Sequence, residues 1–483
     1  MFLQKILNNF SEYSNEIAFC IKDKFWTYKD FEAKIISIIN YLKENNVRKN
    51  DVVIIYVTDD IETYASIFAV WFMGCTFVPL NPLHPEERNN LILNQIKYKL
   101  IISEEKTKNL SLNSSKIILP KIDKNDLMYI IFTSGSTGIP KGVKISFFNV
   151  EANFNNFLNT NFKLNNSDTF LQLYELTFDA SIHAYLLPIY LGASVYTVPS
   201  GKVKYLAAYK IMLKHKITFA KLTPAILHYL KPYFNSIKLN SVKYNTLGGE
   251  ELDKNLVLEW QKCLPNAEIY NLYGPTEATI NTFFYKIEKY NIKSRNNIVS
   301  IGRPFGDTDA IIIDANNQVI KNGEIGEICL SGSQISSGYL NNKKLNQTSF
   351  FYTKRNNEEK RYYKTGDLAY IDDDGDFIFC GRLDNQIQIQ GYRVELHEIE
   401  AVASNFDDAL VVVALNITNR LGIEEIILYT ENYDKNILKL MEYLETKLPK
   451  YMIPKEIVNI SKFPHTTNGK IDKNRLKTIY NDK

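Results

Sequence analysis

Tyr129-Ile130-Ile131-Phe132-Thr133-Ser134-Gly135-Ser136-Thr137-Gly138-Ile139-Pro140-Lys141-Gly142-Val143-Lys144 is the stretch from which the rest of the chain is read. An apolar run, Met128 to Phe132, leads into a loop of hydroxyls and glycines that Pro140 and Lys141 close. Gly135 and Gly138 let the backbone turn tightly and bring its N–H groups towards one point. Thr133, Ser134, Ser136 and Thr137 add hydroxyl donors, and Lys141 adds a positive charge. Such a concavity suits a polyanion. The competing reading is a flexible Ser/Gly linker, but a linker needs neither a strand-like entry nor the Pro-Lys closure. Gly-x-x-x-x-Gly-Lys-Ser/Thr cannot be fitted here, so the loop binds phosphate by a different design.

At 483 residues the chain is long enough for two or three domains. With 45% hydrophobic residues it can fill large cores, and no segment has the composition of disorder. Lys+Arg 57 against Asp+Glu 54 leaves a net charge of +3, too small to drive nucleic-acid binding. Cys20, Cys75, Cys263, Cys329 and Cys380 are scattered with no CxxC pair, so neither a disulfide framework nor a cysteine metal site is indicated. Lys5, Asn8, Asn9 and Glu12 interrupt what a signal peptide would need as its apolar core. The longest apolar run, Ile67 to Cys75, is too short to span a bilayer. These features predict a reduced, cytoplasmic protein with no nucleic-acid or membrane partner.

The first third alternates strand and helix signals. Val52–Val57 is a β-branched run, and Asp60 to Met73 has the period of a helix ended by Gly74. Thr76–Pro79, Lys99–Ser103, Ile217–Leu222 and Tyr244–Leu247 continue the rhythm, which predicts parallel sheet with helices on its faces. Beyond Ser300 the texture changes to short strands, Ala310–Ile313, Gly326–Ser331 and Phe377–Gly381, with hairpin turns between them. Asp372-Asp373-Asp374-Gly375-Asp376 lacks the alternating acids of a calcium loop and is expected to be a solvated hairpin tip. From about Asp384 a small α+β unit follows, with helices at Leu396–Ala403 and Asn436–Lys447 and strands at Ala409–Leu415 and Glu425–Tyr429. The expected architecture is therefore an α/β domain over 1–383, with parallel-rich sheets and a small barrel-like part. A small α+β domain over 384–483 is joined to it by a hinge.

In order along the chain stand Phe25-Trp26-Thr27-Tyr28, Gly74–Leu80, the phosphate loop, Phe178-Asp179-Ala180-Ser181 and Gly248-Gly249-Glu250. Asn271-Leu272-Tyr273-Gly274-Pro275-Thr276-Glu277, Gly326-Glu327, Ser337-Gly338-Tyr339-Leu340, Tyr363-Lys364-Thr365-Gly366-Asp367, Gly381-Arg382-Leu383-Asp384, Leu448–Pro454 and Asn468-Gly469-Lys470 complete the series. Each is weak alone. The ordered set resembles the adenylate-forming enzymes, and within them the amino-acid adenylation domains of nonribosomal peptide synthesis.

The resemblance implies ATP and Mg²⁺ as cofactors and a reaction in which a carboxylate attacks the α-phosphorus of ATP. Both reactants are anions, so positioning and charge neutralisation carry the catalysis. By motif match Thr133, Ser134, Gly135, Ser136, Thr137, Gly138 and Lys141 would hold the β/γ-phosphates, and Glu277 the metal. Tyr273 would stack on adenine, with Gly249, Glu250 and Asn271 at its edge. Asp367, supported by Arg382, would accept from the ribose hydroxyls. Lys470, Thr276 and Glu277 are the implied catalytic residues, Lys470 bridging the substrate carboxylate and the α-phosphate. Asp384 is the implied hinge, about which the small domain would turn to admit the phosphopantetheine thiol of a carrier protein. No Gly-Gly-x-Ser carrier motif follows Lys470, so the carrier is expected to act in trans. Gln388 and Gln390 stand where the family usually has Lys and Arg, which either weakens docking of an acidic carrier or reflects tolerant exposed strand positions.

Asp179 would pair with the substrate's α-ammonium, because a buried carboxylate needs a cationic partner; the alternative is a helix N-cap. Motif alignment places Ala180, His183, Lys221, Thr246, Gly248, Leu272, Ile280 and Asn281 around the substrate side chain. Lys221 lies within an apparent strand, and a buried lysine requires an anionic or strongly polar partner. With His183 and Asn281 it favours a small polar or acidic side chain of the aspartate or asparagine type. An ion pair between Lys221 and Asp179 would instead shrink the pocket towards alanine, as in a D-alanine–carrier ligase. Fatty-acid and aryl-acid relatives lack the Asp179 carboxylate, and a non-catalytic nucleotide sensor would not need Lys470.

Overall fold

The computed structural model describes residues 2–111, 116–135, 137–160, 162–289, 291–355, 357–384, 386–407, 409–433, 436–466 and 471–481. They form two compact units. One comprises Met1–Pro82, Gln95–Phe132 and Gly142–Leu383, the other Leu83–Asn94, Thr133–Lys141 and Asp384–Lys483.

In the first unit a nine-stranded sheet runs in the order Arg303–Pro304, Phe283–Lys286, Glu268–Tyr273, Tyr244–Gly248, Phe219–Leu222, Thr169–Gln172, Ser194–Thr197, Ile17–Ile21 and Lys24–Thr27. Its middle is parallel, from Glu268–Tyr273 across to Ile17–Ile21. Helices follow the strands because a parallel neighbour needs a crossover. A second sheet orders Leu100–Ile102, Val52–Tyr56, Thr76–Leu80, Leu127–Thr133 and Lys141–Ser146, with parallel pairing among its first four strands. Helix Ile61–Phe72 is capped by the Asp60 carboxylate, which accepts from Thr63 N–H at 2.7 Å. It is apolar all round and correspondingly buried. The Trp71 indole N–H from this helix donates to the Met128 carbonyl at 2.9 Å, fixing the strand that leads into the phosphate loop.

A five-stranded antiparallel sheet completes the unit: Asp309–Ile313, Gly326–Ser331, Glu358–Ile371 and Phe350–Arg355 in order, with Phe377–Arg382 also on Glu358–Ile371. The fourteen-residue strand Glu358–Ile371 alternates in burial from Tyr363 to Tyr370, but polar Thr365 and Asp367 fill buried positions, so hydropathy does not show the period. The Asp372–Asp376 tip adds a feature that the expectation lacked. It is the expected hairpin turn, with Asp373 and Asp374 exposed, but it also carries an ion-pair knot in which Lys293 is bonded to Asp372 (3.0 Å), Asp374 (2.7 Å) and Asp376. Three acids converge there because one lysine from a separate loop neutralises them.

The second unit contains strands Val412–Thr418, Glu424–Glu431 and Glu456–Ile460, helices Leu396–Ser404 and Ile437–Lys447, and a hairpin Gln386–Ile389/Tyr392–Glu395. The first of these strands begins at Val412, three residues after the expected start. Gln388 is a half-buried strand residue facing Arg393 in the pairing register. Gln390 is not a strand position. With Gly391 it makes the two-residue turn, φ 52° and 83°, the left-handed pair that a tight hairpin favours. Helix Glu86–Leu93 joins this unit through Arg88, whose guanidinium pairs with the buried Glu398.

Candidate active site

Strand register brings together several residues expected around the substrate. Lys221 pairs with Thr246, and Gly248 with Leu272, so neighbouring parallel strands present them together. Lys221 is only 5% exposed. Its ammonium lies 3.5 Å from Asn281 Oδ1, or 3.2 Å with the amide turned so that its nitrogen donates to the Ile280 carbonyl. Burial pulls the Lys221 pKa down to about 8, against the opposing pull of Asp179. No ion pair within 4.0 Å joins Lys221 and Asp179 among the described residues, although each charge acts on the titration of the other.

Asp179 opens the helix Asp179–Leu191 as its first residue, while Phe178 is the N-cap and supplies no side-chain cap. Capping therefore does not account for the carboxylate. Its Oδ2 is buried with no hydrogen-bond partner. Burial raises its pKa, opposed by Lys221, the Thr276 hydroxyl and the Ala180 N–H. Burying a polar atom unpaired costs about 1–3 kcal/mol, which marks it as a group awaiting a donor. Thr246 Oγ1 and both ring nitrogens of His183 are likewise buried and unpartnered. The His183 ring lies edge-on to Phe157 at 4.5 Å and Phe154 at 5.8 Å. Burial and Lys221 hold its pKa well below the usual histidine range, so the ring is neutral. Ala180 lies beside Asp179 on the same helix.

The wall formed by Ile280 and Asn281 is strained. Thr279 and Ile280 both have positive φ, 58° and 71°, unfavourable for β-branched residues. Two buried amides that sequence reading misses hold this turn. Asn153 donates to the Thr279 and Asn281 carbonyls at 2.9 and 3.0 Å, and Gln334 donates to the Asn281 carbonyl at 2.8 Å. Neither lies in a recognisable motif, so only three-dimensional proximity reveals them. Gly274 permits the arrangement: a Cβ there would stand 2.6 Å from the Asn281 Cα.

Beside the pocket, Glu277 is fully buried and accepts from the Tyr339 hydroxyl at 2.7 Å. Tyr339 belongs to one of the ordered motifs, which by itself gives it no role. Asp367 accepts from the Tyr273 hydroxyl and from Arg382, which also donates to the Thr365 carbonyl at 3.2 Å. One carboxylate thus links the proposed adenine and ribose contacts. Asn271 donates to the Ser300 carbonyl at 2.9 Å, Glu250 accepts from Ala225 N–H at 2.7 Å, and Gly249 is exposed in a left-handed turn.

The phosphate loop belongs to the second unit. There the Gly135 N–H donates to Glu398 Oε2 at 3.1 Å, and the Lys141 ammonium to Glu395 Oε1 at 3.1 Å. The Ser134 hydroxyl donates to the Arg393 carbonyl at 3.0 Å. A Cβ on Gly135 would meet the Ile139 carbonyl oxygen at 2.0 Å, so only glycine fits. Thr133 is buried, Thr137 exposed and Gly138 left-handed. The loop's donors thus hold oxyanions. Asp384 is exposed and accepts from Gln386 N–H at 3.1 Å. Ser136 and Lys470, with Asn468 and Gly469, lie outside the described residues.

The chain belongs to the family of AMP-binding enzymes, whose family model matches residues 8–340. Within that class its relatives are adenylation domains of the nonribosomal peptide synthetase type. Zwittermicin A synthase ZmaJ of Bacillus cereus is 31% identical, over 97% of this chain and 93% of its own length. Gramicidin S synthase 2 of Brevibacillus brevis is 30% identical, over 95% of this chain, which spans 11% of that much longer protein. Among solved structures, the Vibrio cholerae adenylation domain AlmE, in complex with glycyl-adenosine-5'-phosphate, superposes with a TM-score of 0.85 at 24% identity, covering 99% of this chain and 97% of AlmE. PA1221, an NRPS protein containing adenylation and PCP domains, gives 0.88 at 20% identity, over 98% of this chain and 83% of its own. These likenesses at low identity speak for the fold. Among the described residues no helix is long and apolar enough to cross a membrane.

Proposed function

We propose that the chain activates a small polar or acidic amino acid, of the aspartate or asparagine type, as its aminoacyl-adenylate and passes it to the phosphopantetheine thiol of a separate carrier protein. One observation carries this reading: the unpartnered Oδ2 of Asp179. An α-ammonium would supply the donor that this carboxylate lacks, and its charge would offset the burial penalty. Facing it, Lys221 and Asn281 offer a cation and an amide to a short polar side chain.

The substrate carboxylate would attack the α-phosphorus of ATP, forming the acyl–phosphate bond as pyrophosphate leaves. Lys470 would bridge both anions, and Thr276, whose hydroxyl bonds Asp179, would act beside them. The polyphosphate would replace Glu398 and Glu395 on the loop, whose N–H and ammonium donors already hold carboxylate oxygens. Glu277 fits Mg²⁺ as a buried oxygen donor that the Tyr339 hydroxyl orients. The metal would neutralise phosphate charge there. Asp384 is proposed as the pivot separating domains 1–383 and 384–483.

Amino-acid-dependent ATP–pyrophosphate exchange across the proteinogenic amino acids, D-alanine and β-alanine tests the reading. Aspartate or asparagine should give the strongest exchange. Asp179→Asn should lower kcat/KM for the amino acid at least about a hundredfold, the scale of a lost buried charge partner, with ATP still bound. Exchange with D-alanine alone would overturn the pocket assignment. Binding of ATP without exchange for any acid would indicate a nucleotide sensor.

A further inference from the structure

Away from the Asp179 pocket, the first unit has a second concavity of about 740 Å³ between the start of helix Phe147–Leu158 and the five-stranded sheet. Its charged lining is Lys124, Lys144, Lys360, Arg361, Asp307 and Asp309, four cations against two carboxylates. The carboxylates are already engaged. Asp307 accepts from Asn156 at 2.7 Å and from Ser333 N–H and Oγ at 3.0 and 2.8 Å. Asp309 accepts from Lys360 and the Tyr362 hydroxyl, each at 2.9 Å.

Among the described residues three of these cations have no carboxylate partner: Lys124, whose ammonium lies 4.7 Å over the Phe148 ring, Lys144 and Arg361. The half-buried Lys144 ammonium makes no hydrogen bond or ion pair with any described residue. Burial and the neighbouring Arg361 pull its pKa below the ordinary lysine value. Arg361 is held rigidly, its Nη1 donating to the Ser336 carbonyl at 2.8 Å and its guanidinium lying 3.9 Å over the Phe350 ring. No carboxylate pairs with it among the described residues. Placing two like charges side by side in a recess is unfavourable unless an anion joins them. The positive end of helix Phe147–Leu158 faces the same recess and adds to the field.

We infer that this cavity binds a phosphate dianion, free or carried by a small phosphomonoester. Its surplus of two positive charges equals the charge of that group. The fixed Arg361 fork and the compact Lys144 ammonium are the donors suited to it, and Ser331 and Ser337 also line the cavity. The cavity has room for more than the phosphate itself.

Isothermal titration of the full chain with sodium phosphate, at ionic strength balanced by chloride, provides the test, with β-glycerophosphate as the phosphomonoester probe. The expected result is saturable binding of one phosphate. Lys144→Gln and Arg361→Gln should each weaken it about tenfold or more, as loss of a charge-assisted hydrogen bond implies. Lys144→Arg should restore it. Lys141→Gln, on the phosphate loop, should leave it in place, and unchanged melting temperatures certify the fold. β-Glycerophosphate binding at least as tightly as phosphate assigns the site to phosphomonoesters, whereas binding of phosphate alone assigns the free ion. Absence of saturable binding, or binding lost with Lys141→Gln and kept with Lys144→Gln, overturns the inference.

Discussion

Lys221 is charged or neutral depending on a narrow pH range, because burial brings its pKa down to about 8. Since kcat/KM reports the free enzyme, its value for an acidic amino acid should fall as pH rises through about 8. Lys221→Met should lower kcat/KM at neutral pH and abolish that fall, which separates it from titration of the amino acid itself. The stability effect has the opposite sign from that of a lysine with a raised pKa. The folded value lies below the ordinary 10.5, so between about 8 and 10.5 the unfolded chain binds the extra proton. Stability from this residue therefore rises with pH across that window. Lys221 is legible in the sequence because a lysine inside an apolar run is anomalous. Asp179 is legible by motif, but its unpaired oxygen is not, since whether a carboxylate finds a donor depends on distant chain segments.

At the level of elements, the turn Thr279–Asn281 is held against its own backbone preference by Asn153 from helix Phe147–Leu158 and by Gln334. Asn153→Ala should destabilise the protein by about 1–3 kcal/mol, because two buried carbonyls each lose a partner. Denaturant unfolding measures this. In the exchange assay the same variant should raise KM for the amino acid while leaving KM for ATP unchanged; equal shifts in both would mean the turn is not a pocket wall. The alternating strands and helices of the first half of the chain are readable from periodicity. Glu358–Ile371 is not, because its buried face, Tyr363, Thr365, Asp367 and Ala369, is partly polar and so alternates in burial without alternating in hydropathy. The pairing of the aspartates at 372–376 is hidden for another reason: Lys293, which neutralises them, comes from a segment far upstream.

Across the whole molecule, the five cysteines behave as small apolar residues. Burial pushes Cys20 and Cys263 up to about 11 and Cys75 to about 12, and raises Cys329 further. Only Cys380 is half-buried. Titration of the native chain with a chromogenic disulfide at mildly alkaline pH should label at most Cys380 within minutes, and all five after denaturation, because reaction needs an accessible thiolate. Rapid native labelling of two or more would show the cores to open more readily than the burial of these thiols implies. The phosphate loop has a further consequence. Its Gly135 N–H and Lys141 ammonium hold Glu398 and Glu395 within one unit, so on the proposed reading nucleotide entry is an exchange of anions. A bare cluster of donors would collect any stray sulfate or monophosphate. On that reading a tenanted one would yield only to a guest that brings several oxyanions at once, and the loop would discriminate between triphosphates and lesser anions.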